Sequence, residues 1–371
     1  MKNESDEFVA LARDIHRRAV IIDTHCDTTQ RLMADDWNIA QRHSEGHVDL
    51  PRLREGGVDA VFFAVFAGGL GGPIGPAQEA RRQIRRLHDT AQRHTEEIAV
   101  STTADDIRRA KTHGRLAMLI GIEGGHLIED DLDILNEFHH DGATYLTLTH
   151  ALHTNWADSS GVHEALAPRH GGLTDFGREV IREMNGLGMM VDVSHVSDAT
   201  FWNVLETSTA PVLATHSSCR AVAPHRRNLS DEMIRALAAC GGSVQINFAA
   251  AFLDPHHPPL DTVKVREWFA AGGPSSRKVT THVTPFERLV DHVDHALQLV
   301  GPDHVGIGSD FDGVPALPEG MEDCAKLPRL TAALFQRGYG EADLAKVLGG
   351  NVLRIMEACR QRAGIKRHEP G

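Results

Sequence analysis

Residues 175–215 of this 371-residue chain read DFGREVIREMNGLGMMVDVSHVSDATFWNVLETSTAPVLAT. A helical pattern at 175–188 is followed by two apolar, β-rich runs, MMVDVS at 189–194 and PVLAT at 211–215. Runs that are nearly continuously apolar, rather than alternating, are typical of parallel strands covered by helices. The stretch therefore predicts helices that alternate with buried parallel strands.

The same kind of run recurs along the rest of the chain. Helical patterns such as PAQEARRQIRRLHDTAQRH at 76–94 separate the runs. The six further runs are AVIID at 19–23, VDAVFFAVF at 58–66, LAMLIGI at 116–122, TYLTLT at 144–149, GSVQINF at 242–248 and HVGIGS at 304–309. Eight such strands alternating with helices predict an α/β protein with a closed parallel (β/α)8 TIM barrel.

The chain shows no internal repeat and no Gly/Ser-rich linker, so we expect one barrel domain over residues 1–371. Its main irregularity is an insertion at about 249–285, after the seventh strand, which contains FLDPHHPPLD and AGGPSSRK. Two readings of this segment stay open. It is either a substrate lid over the barrel mouth or a solvated insertion without a function.

Composition excludes several classes of protein. A net charge of −13 without a long basic run argues against nucleic acid and favours a small polar substrate. Five scattered cysteines without a CxxC pair, an acidic N-terminus and no 18-residue apolar run predict a cytoplasmic protein that does not bind membranes. Many of the 24 histidines, such as His94, His292 and His295 on polar helical stretches, are expected in solvent.

Metal-capable side chains stand at the ends of four predicted strands. His25 and Asp27 end the first strand two residues apart, so both point to the same side. Glu123 ends the third strand in register with apolar inward residues, where a carboxylate is costly without a partner. His195 and His216 end the fifth and sixth strands, in register with Val191 and Val193 and with Val212 and Ala214, respectively. Because catalysis in such barrels occurs at this end of the strands, the joint pattern predicts a metal site there.

Imidazole and carboxylate ligands suit zinc first, with manganese or cobalt as alternatives. Five ligands exceed what one tetrahedral zinc accepts, which favours two metals roughly 3.5–4 Å apart that share a carboxylate. No predicted strand ends in a lysine that could be modified to bridge them. Glu123 is therefore the expected bridge.

Three more residues are candidates for catalysis or substrate binding. Asp310, in GIGSDFDG, is expected to act as a general base or proton shuttle. His150 ends the fourth strand and is expected to donate a hydrogen bond to the developing oxyanion. The alternative is that it serves as a third metal ligand. Arg227 is expected to clamp a substrate carboxylate, and Arg226 is the competing residue.

These segments resemble the membrane dipeptidase, or renal dipeptidase, family of zinc peptidases, in the family's order and over almost the whole chain. VDVSHVS and GSDFDG together carry the resemblance, whereas THCD alone is weak. The matching segments are IDTHCDT at 22–28, GIEGGH at 121–126, YLTLTH at 145–150, GLTDFGREVIREMNGLGMMVDVSHVS at 172–197, ATHSS at 214–218, RRNLSD at 226–231, GIGSDFDG at 306–313 and GGNVLRIME at 349–357.

The resemblance implies one zinc bound by His25, Asp27 and Glu123 and a second bound by Glu123, His195 and His216. It further implies substrate contacts from His150 and Arg227, proton transfer by Asp310, and a homodimer. The chain departs from the animal enzymes because it shows no signal peptide, lipid-anchor signal or plausible disulfide pattern. It therefore resembles a free bacterial-type member, and membrane attachment is not carried over.

The expected reaction is attack by a metal-bridging hydroxide on the peptide bond of a dipeptide, including L-Xaa-D-Xaa substrates as the resemblance implies. A second candidate is the hydrolysis of another small amide, an N-acyl amino acid or a cyclic amide, on the same metals. A third is a metal-binding scaffold without activity. Such a scaffold has no need for Asp310, His150 and Arg227 in addition to five ligands.

Overall fold

The structure, a computed structural model, describes residues 4–68, 74–162, 164–260, 263–264, 267 and 280–366. Every one of the eight predicted runs overlaps a strand. The strands are β1 Ile22–Cys26, β2 Ala60–Phe66, β3 Ile98–Val100, β4 Leu116–Glu123, β5 Ala143–Thr147, β6 Met190–Asp192, β7 Val212–Ala214, β8 Ser243–Ile246 and β9 Val305–Ile307.

Eight of these strands form a nearly closed parallel barrel in the order β1-β2-β4-β5-β6-β7-β8-β9. Hydrogen bonds join the two ends of this row. The Asp27 N–H donates to the Phe311 carbonyl at 2.8 Å, and the Asp310 N–H donates to the His25 carbonyl at 3.0 Å. The predicted TIM-barrel class is therefore confirmed, and the closing bonds lie beside the candidate site residues.

Helices separate successive strands, and several begin at a hydroxyl residue whose side chain accepts a backbone N–H. Thr174, Ser197 and Ser230 cap three of them in this way, which satisfies donors at the first turn. The described helices are α1 Glu4–Arg18, α2 Thr28–Leu32, α3 Leu50–Gly56, α4 Pro76–Arg93, α5 Ala104–Thr112, α6 Leu132–His140, α7 Asp175–Leu187, α8 Asp198–Thr207, α9 Asp231–Ala239, α10 Ala250–Leu253, α11 Phe286–Val300, α12 Leu327–Gln336, α13 Glu341–Ala345 and α14 Asn351–Lys366.

The short strand β3 was not predicted. Only three residues pair, all with β4, and the strand lies outside the barrel order. A run of this length falls below the four to eight residues that make a buried strand recognisable in a sequence.

The barrel interior and the layer beneath the helices contain different residues. Phe62 of β2 and Tyr145 of β5 stack at 5.5 Å between ring centroids although β4 lies between their strands, so both rings are inside the barrel. Ala117 and Leu119 of β4 belong to the same apolar cluster as these rings. Glu123 continues this inward alternation at the top of β4, as the sequence predicts.

The register argument for two of the histidines was wrong. Val191, Val193, Val212 and Ala214 belong to the outer apolar layer, which also contains residues of the surrounding helices. The strands end at Asp192 and Ala214, before either histidine. His195 reaches the mouth because the chain turns there, with φ at +69°, and not because it continues an inward stripe.

The insertion after the seventh barrel strand is described mainly at its two ends. Residues 261–262, 265–266 and 268–279 of the predicted 249–285 segment lie outside the described residues. At its base, His282 Nε2 lies 2.7 Å from Asp254 Oδ2 and joins the two ends of the segment. The one-domain assignment stays a prediction, and both interpretations of the insertion, a lid or a solvated segment without a function, stay open.

His292, expected in solvent, is fully buried. Its Nδ1 accepts the Cys219 N–H at 3.0 Å, and its Nε2 donates to the Leu253 carbonyl at 3.0 Å. Burial lowers the pKa of this imidazole to about 4, so it is neutral near pH 7. The polar residues around it in the sequence concealed a core position on α11.

Candidate metal centre

Glu123 lies at the centre of a group of histidines at the carboxyl ends of the barrel strands. The side chain is almost completely buried. Its Oε1 lies 3.3 Å from His195 Nε2 and 3.5 Å from His216 Nε2. The Nε2 atoms of His25 and His150 follow at 3.6 and 3.8 Å. The structure thus brings together four strand-end residues that the sequence singled out around a single carboxylate.

A second group overlaps the first at His25. His25 Nε2 lies 3.5 Å from Asp27 Oδ2, and one ligand atom from each of His25, Asp27 and Asp310 lies within 4.8 Å of the others. A Cβ at residue 313 would stand 2.0 Å from Asp27 Oδ2 and 2.5 Å from Asp310 Oδ1. The last glycine of GSDFDG is therefore required by the close approach of two carboxylates.

Two of the site residues have left-handed backbone conformations, which are unfavourable for a side chain larger than glycine. His195 has φ +69° and Asp310 has φ +64°. The His195 carbonyl accepts the Ser160 N–H at 2.8 Å, so the loop after β5 holds this turn in place. Asp310 Oδ2 accepts Asn247 Nδ2–H at 2.8 Å. Asn247 was not singled out, although a polar residue two positions after Gln245 in an apolar strand was a signal.

Burial perturbs the charges of this cluster. It raises the pKa of Glu123 well above its usual value and lowers the pKa values of His195 and His216 well below theirs. Burial also opposes protonation of His25, but the charges of Glu123 and Asp27 outweigh it and raise that pKa to about 10. For Asp310, burial together with the charge of Asp27 raises the pKa to about 6. Buried carboxylates in such proximity are costly unless cations accompany them.

The donor set fits divalent metals. His25 Nε2, which faces Glu123 and Asp27, is buried without a hydrogen-bond partner, and His195 Nε2 lies 2.8 Å from His216 Nε2. Two imidazole nitrogens that face each other this closely are compatible with ligands placed ~2.0–2.1 Å from a shared ion. Glu123 forms one group with His25 and His216 and another with His150 and His195, so it contacts histidines of both halves of the cluster, as a bridging carboxylate would.

The other two predicted site residues lie beside the cluster. His150 is partly exposed, with its ring 4.4 Å from that of His195 and 4.4 Å from that of Phe66 between centroids. Arg227 is buried, donates from Nη2 to the His216 carbonyl at 3.1 Å, and has no partner at Nε. Burial lowers its pKa to about 10, so the guanidinium stays charged near neutral pH. The competing Arg226 lines an adjacent cavity instead.

A cavity of about 100 Å³ opens on the cluster. Its lining includes Glu123, His195 and Asp310 together with a larger number of apolar residues. The apolar residues are Phe66, Ala151, Val162, Ala249, Ala250, Ala251, Phe252, Leu260, Val314, Pro315 and Ala316. The first residues of the insertion therefore face the candidate metal ligands.

Among the described residues, no helix is long and apolar enough to cross a membrane.

Two known proteins with similar sequences bear the name dipeptidase. Dipeptidase tcpJ of Claviceps purpurea (strain 20.1) is 34% identical over 344 residues, which cover 91% of this chain and 75% of the relative. Dipeptidase verJ of Clonostachys rogersoniana is 33% identical over 341 residues, covering 88% of this chain and 79% of the relative.

Solved structures agree with this similarity. A metallopeptidase from Rhodobacter sphaeroides, liganded with a phosphinate mimic of the dipeptide L-Ala-D-Ala, superposes with a TM-score of 0.78 at 29% identity over 92% of this chain and 99% of that one. Dipeptidase AC, a metallopeptidase of family M19, gives a TM-score of 0.78 at 30% identity over 92% and 98%. A model of the membrane dipeptidase family matches residues 9–368, and this chain therefore belongs to the membrane dipeptidase family, peptidase family M19.

Proposed function

We propose that this protein is a binuclear metallo-dipeptidase with zinc as its first-choice metal. The observation that carries the proposal is the placement of Glu123 Oε1 within 3.8 Å of four imidazole nitrogens at the barrel mouth. A buried carboxylate that is surrounded by imidazoles and faces a cavity of about 100 Å³ suits metal-assisted hydrolysis better than a purely structural role.

In this proposal His25 and Asp27 hold one ion, His195 and His216 hold the other, and Glu123 holds both. Two divalent ions bound there would lower the pKa of water from 15.7 toward ~7 and polarise the scissile carbonyl.

Asp310 accepts the proton released by the attacking water and returns it to the leaving amine. One of its carboxylate oxygens lies within 4.8 Å of ligand atoms of His25 and Asp27, so it is placed to take this proton and give it back. Asn247 orients the carboxylate through its hydrogen bond to Oδ2. His150, partly exposed at the rim, donates a hydrogen bond to the oxyanion. Arg227 binds the substrate's terminal carboxylate through the part of its guanidinium that does not hold the His216 carbonyl.

The substrate class we propose is a dipeptide with compact apolar side chains, L-Xaa-D-Xaa included. The small apolar cavity beside the cluster supports a compact side chain, and the Rhodobacter sphaeroides relative binds a mimic of L-Ala-D-Ala. All five cysteines are free thiols, which supports a reducing compartment, and on that basis we place the protein in the cytoplasm. The homodimer stays a prediction.

The test is hydrolysis of a panel of L,L and L,D dipeptides beside N-acyl amino acids, before and after removal of metal by a chelator. We expect dipeptide hydrolysis that disappears with the metal and returns with zinc. Activity indifferent to chelation would contradict the metal mechanism. Activity confined to N-acyl amino acids would replace the substrate class while leaving the metal centre in place.

A further inference from the structure

A chain of hydrogen bonds runs from His216 away from the cluster to a buried carboxylate. His216 Nδ1 lies 2.8 Å from Thr215 Oγ1, and Thr215 Oγ1 lies 2.6 Å from Asp192 Oδ2. Asp192 is completely buried at the end of β6. Its carboxylate also accepts Thr147 Oγ1–H and the N–H groups of Ser194 and Thr215. None of the proposed catalytic steps uses this residue.

The direction of each hydrogen in this chain follows from what each group can donate. An ionised carboxylate only accepts, so the single hydrogen of the Thr215 hydroxyl points to Asp192. The Thr215 oxygen must then accept a hydrogen from His216 Nδ1. His216 is thereby held as the Nδ1–H tautomer, with the lone pair of Nε2 facing Glu123 at 3.5 Å and His195 Nε2 at 2.8 Å.

His25 is held in the same tautomer by a neutral group. The Tyr145 hydroxyl donates to the Thr24 carbonyl at 3.3 Å and therefore accepts from His25 Nδ1 at 3.0 Å. His25 Nε2 is left to face Glu123 and Asp27. The two halves of the site thus differ, since a carboxylate supports His216 through a hydroxyl and an uncharged phenol supports His25.

We propose that Asp192, acting through Thr215, is a positioning residue that selectively supports the metal held by His195 and His216. A negative charge behind an imidazole fixes its tautomer and increases its strength as a ligand, and loss of such a partner commonly weakens metal binding 10–100-fold. The inference rests on the proposed metal centre and deepens it. A purely structural role is the alternative, because Asp192 also joins the ends of β5, β6 and β7 through Thr147 and Thr215.

The experiment is a zinc titration of the metal-free protein against a competing chromophoric chelator, which measures separately the affinities of the two zinc ions. In Asp192→Asn the side-chain amide can donate a hydrogen bond to Thr215 Oγ1. The Thr215 hydroxyl would then donate to His216 Nδ1, and the ring hydrogen of His216 would move to Nε2. We expect the affinity for one zinc ion to fall about 10–100-fold while the affinity for the other is unchanged. Thr215→Val should give the same selective loss, and Thr215→Ser should restore binding because it keeps the hydroxyl.

Two controls separate positioning from folding. Tyr145→Phe should lower the affinity for the other zinc ion, the one that His25 would bind. The double variant Asp192→Asn with Thr215→Val should bind as weakly as either single variant, since both act through the same hydrogen bonds, whereas independent structural damage would add. The inference would be overturned if Asp192→Asn lowered the affinities for both zinc ions equally or left them unchanged. It would also be overturned if the losses of the two single variants added in the double variant. A wild-type protein that binds no zinc would instead overturn the proposed function.

Discussion

Gly313 is the position where a single methyl group tests the packing of the site. In Gly313→Ala the new Cβ would lie 2.0 Å from Asp27 Oδ2, whereas real Cβ contacts essentially never fall below 3.0 Å. The backbone at 313 and the Asp27 carboxylate must therefore move apart by at least 1.0 Å, the difference between these two distances. Metal ligands tolerate displacements of only about 0.2 Å, and a 1 Å misplacement in an active site can cost roughly 10²-fold in rate.

We therefore expect kcat/KM for a dipeptide to fall about 100-fold in Gly313→Ala, equivalent to about 2.7 kcal/mol of transition-state stabilisation. The measurement is steady-state kinetics together with the zinc content of the same sample, which should fall too. Gly186→Ala on α7 is the matched control, because its Cβ would meet nothing within 4 Å. This control should keep full activity and gain roughly 0.5–1 kcal/mol of stability. Wild-type kinetics and zinc content in Gly313→Ala would refute the packing argument.

Three further predictions concern charge. Asp310→Asn should keep both metals but lose about 10²–10⁴-fold in kcat, and loss of zinc in this variant would contradict a proton-transfer role. Arg227→Met should raise KM for dipeptides but not for their C-terminal amides, whereas an equal effect on both would exclude a carboxylate clamp. Burial lowers the pKa values of His16 and His292 from 6.5 to about 4, so the unfolded chain binds more protons below pH 6.5. As the pH is lowered from 6.5 to 4, the free energy of unfolding should accordingly fall by up to about 1.4 kcal/mol per pH unit for each histidine. A free energy of unfolding that does not change over this pH range in urea denaturation would contradict this.

The sequence predicts those parts of the barrel that have a long, uninterrupted signal. β4 spans eight buried residues, so the inward position of Glu123 can be read from its alternation. β6 and β7 have only three residues each, and the chain turns before His195 and His216. Their convergence was predicted from their place after a strand, although the register given for them was wrong. Backbone turns with positive φ at non-glycine residues have no reliable sequence signal.

The residues that support the candidate ligands were missed for a different reason. Asp192, Tyr145 and Asn247 lie within apolar strand runs, where a polar residue is easily read as a minor interruption. Their partners, Thr215, His25 and Asp310, lie in or just after other strands and are distant in sequence. Since a buried polar group must find a hydrogen-bond partner, such residues mark a site once the fold is known, but the sequence does not name the partner.

In the proposed metal centre, Glu123 joins two metal ions at the mouth of the barrel. Anomalous X-ray scattering at the zinc edge, measured on crystals of the zinc-loaded protein, would locate these ions. We expect two peaks roughly 3.5–4 Å apart, both adjacent to the Glu123 carboxylate, one next to His25 and the other next to His195 and His216. A single peak, or two peaks of which one lies away from Glu123, would contradict it.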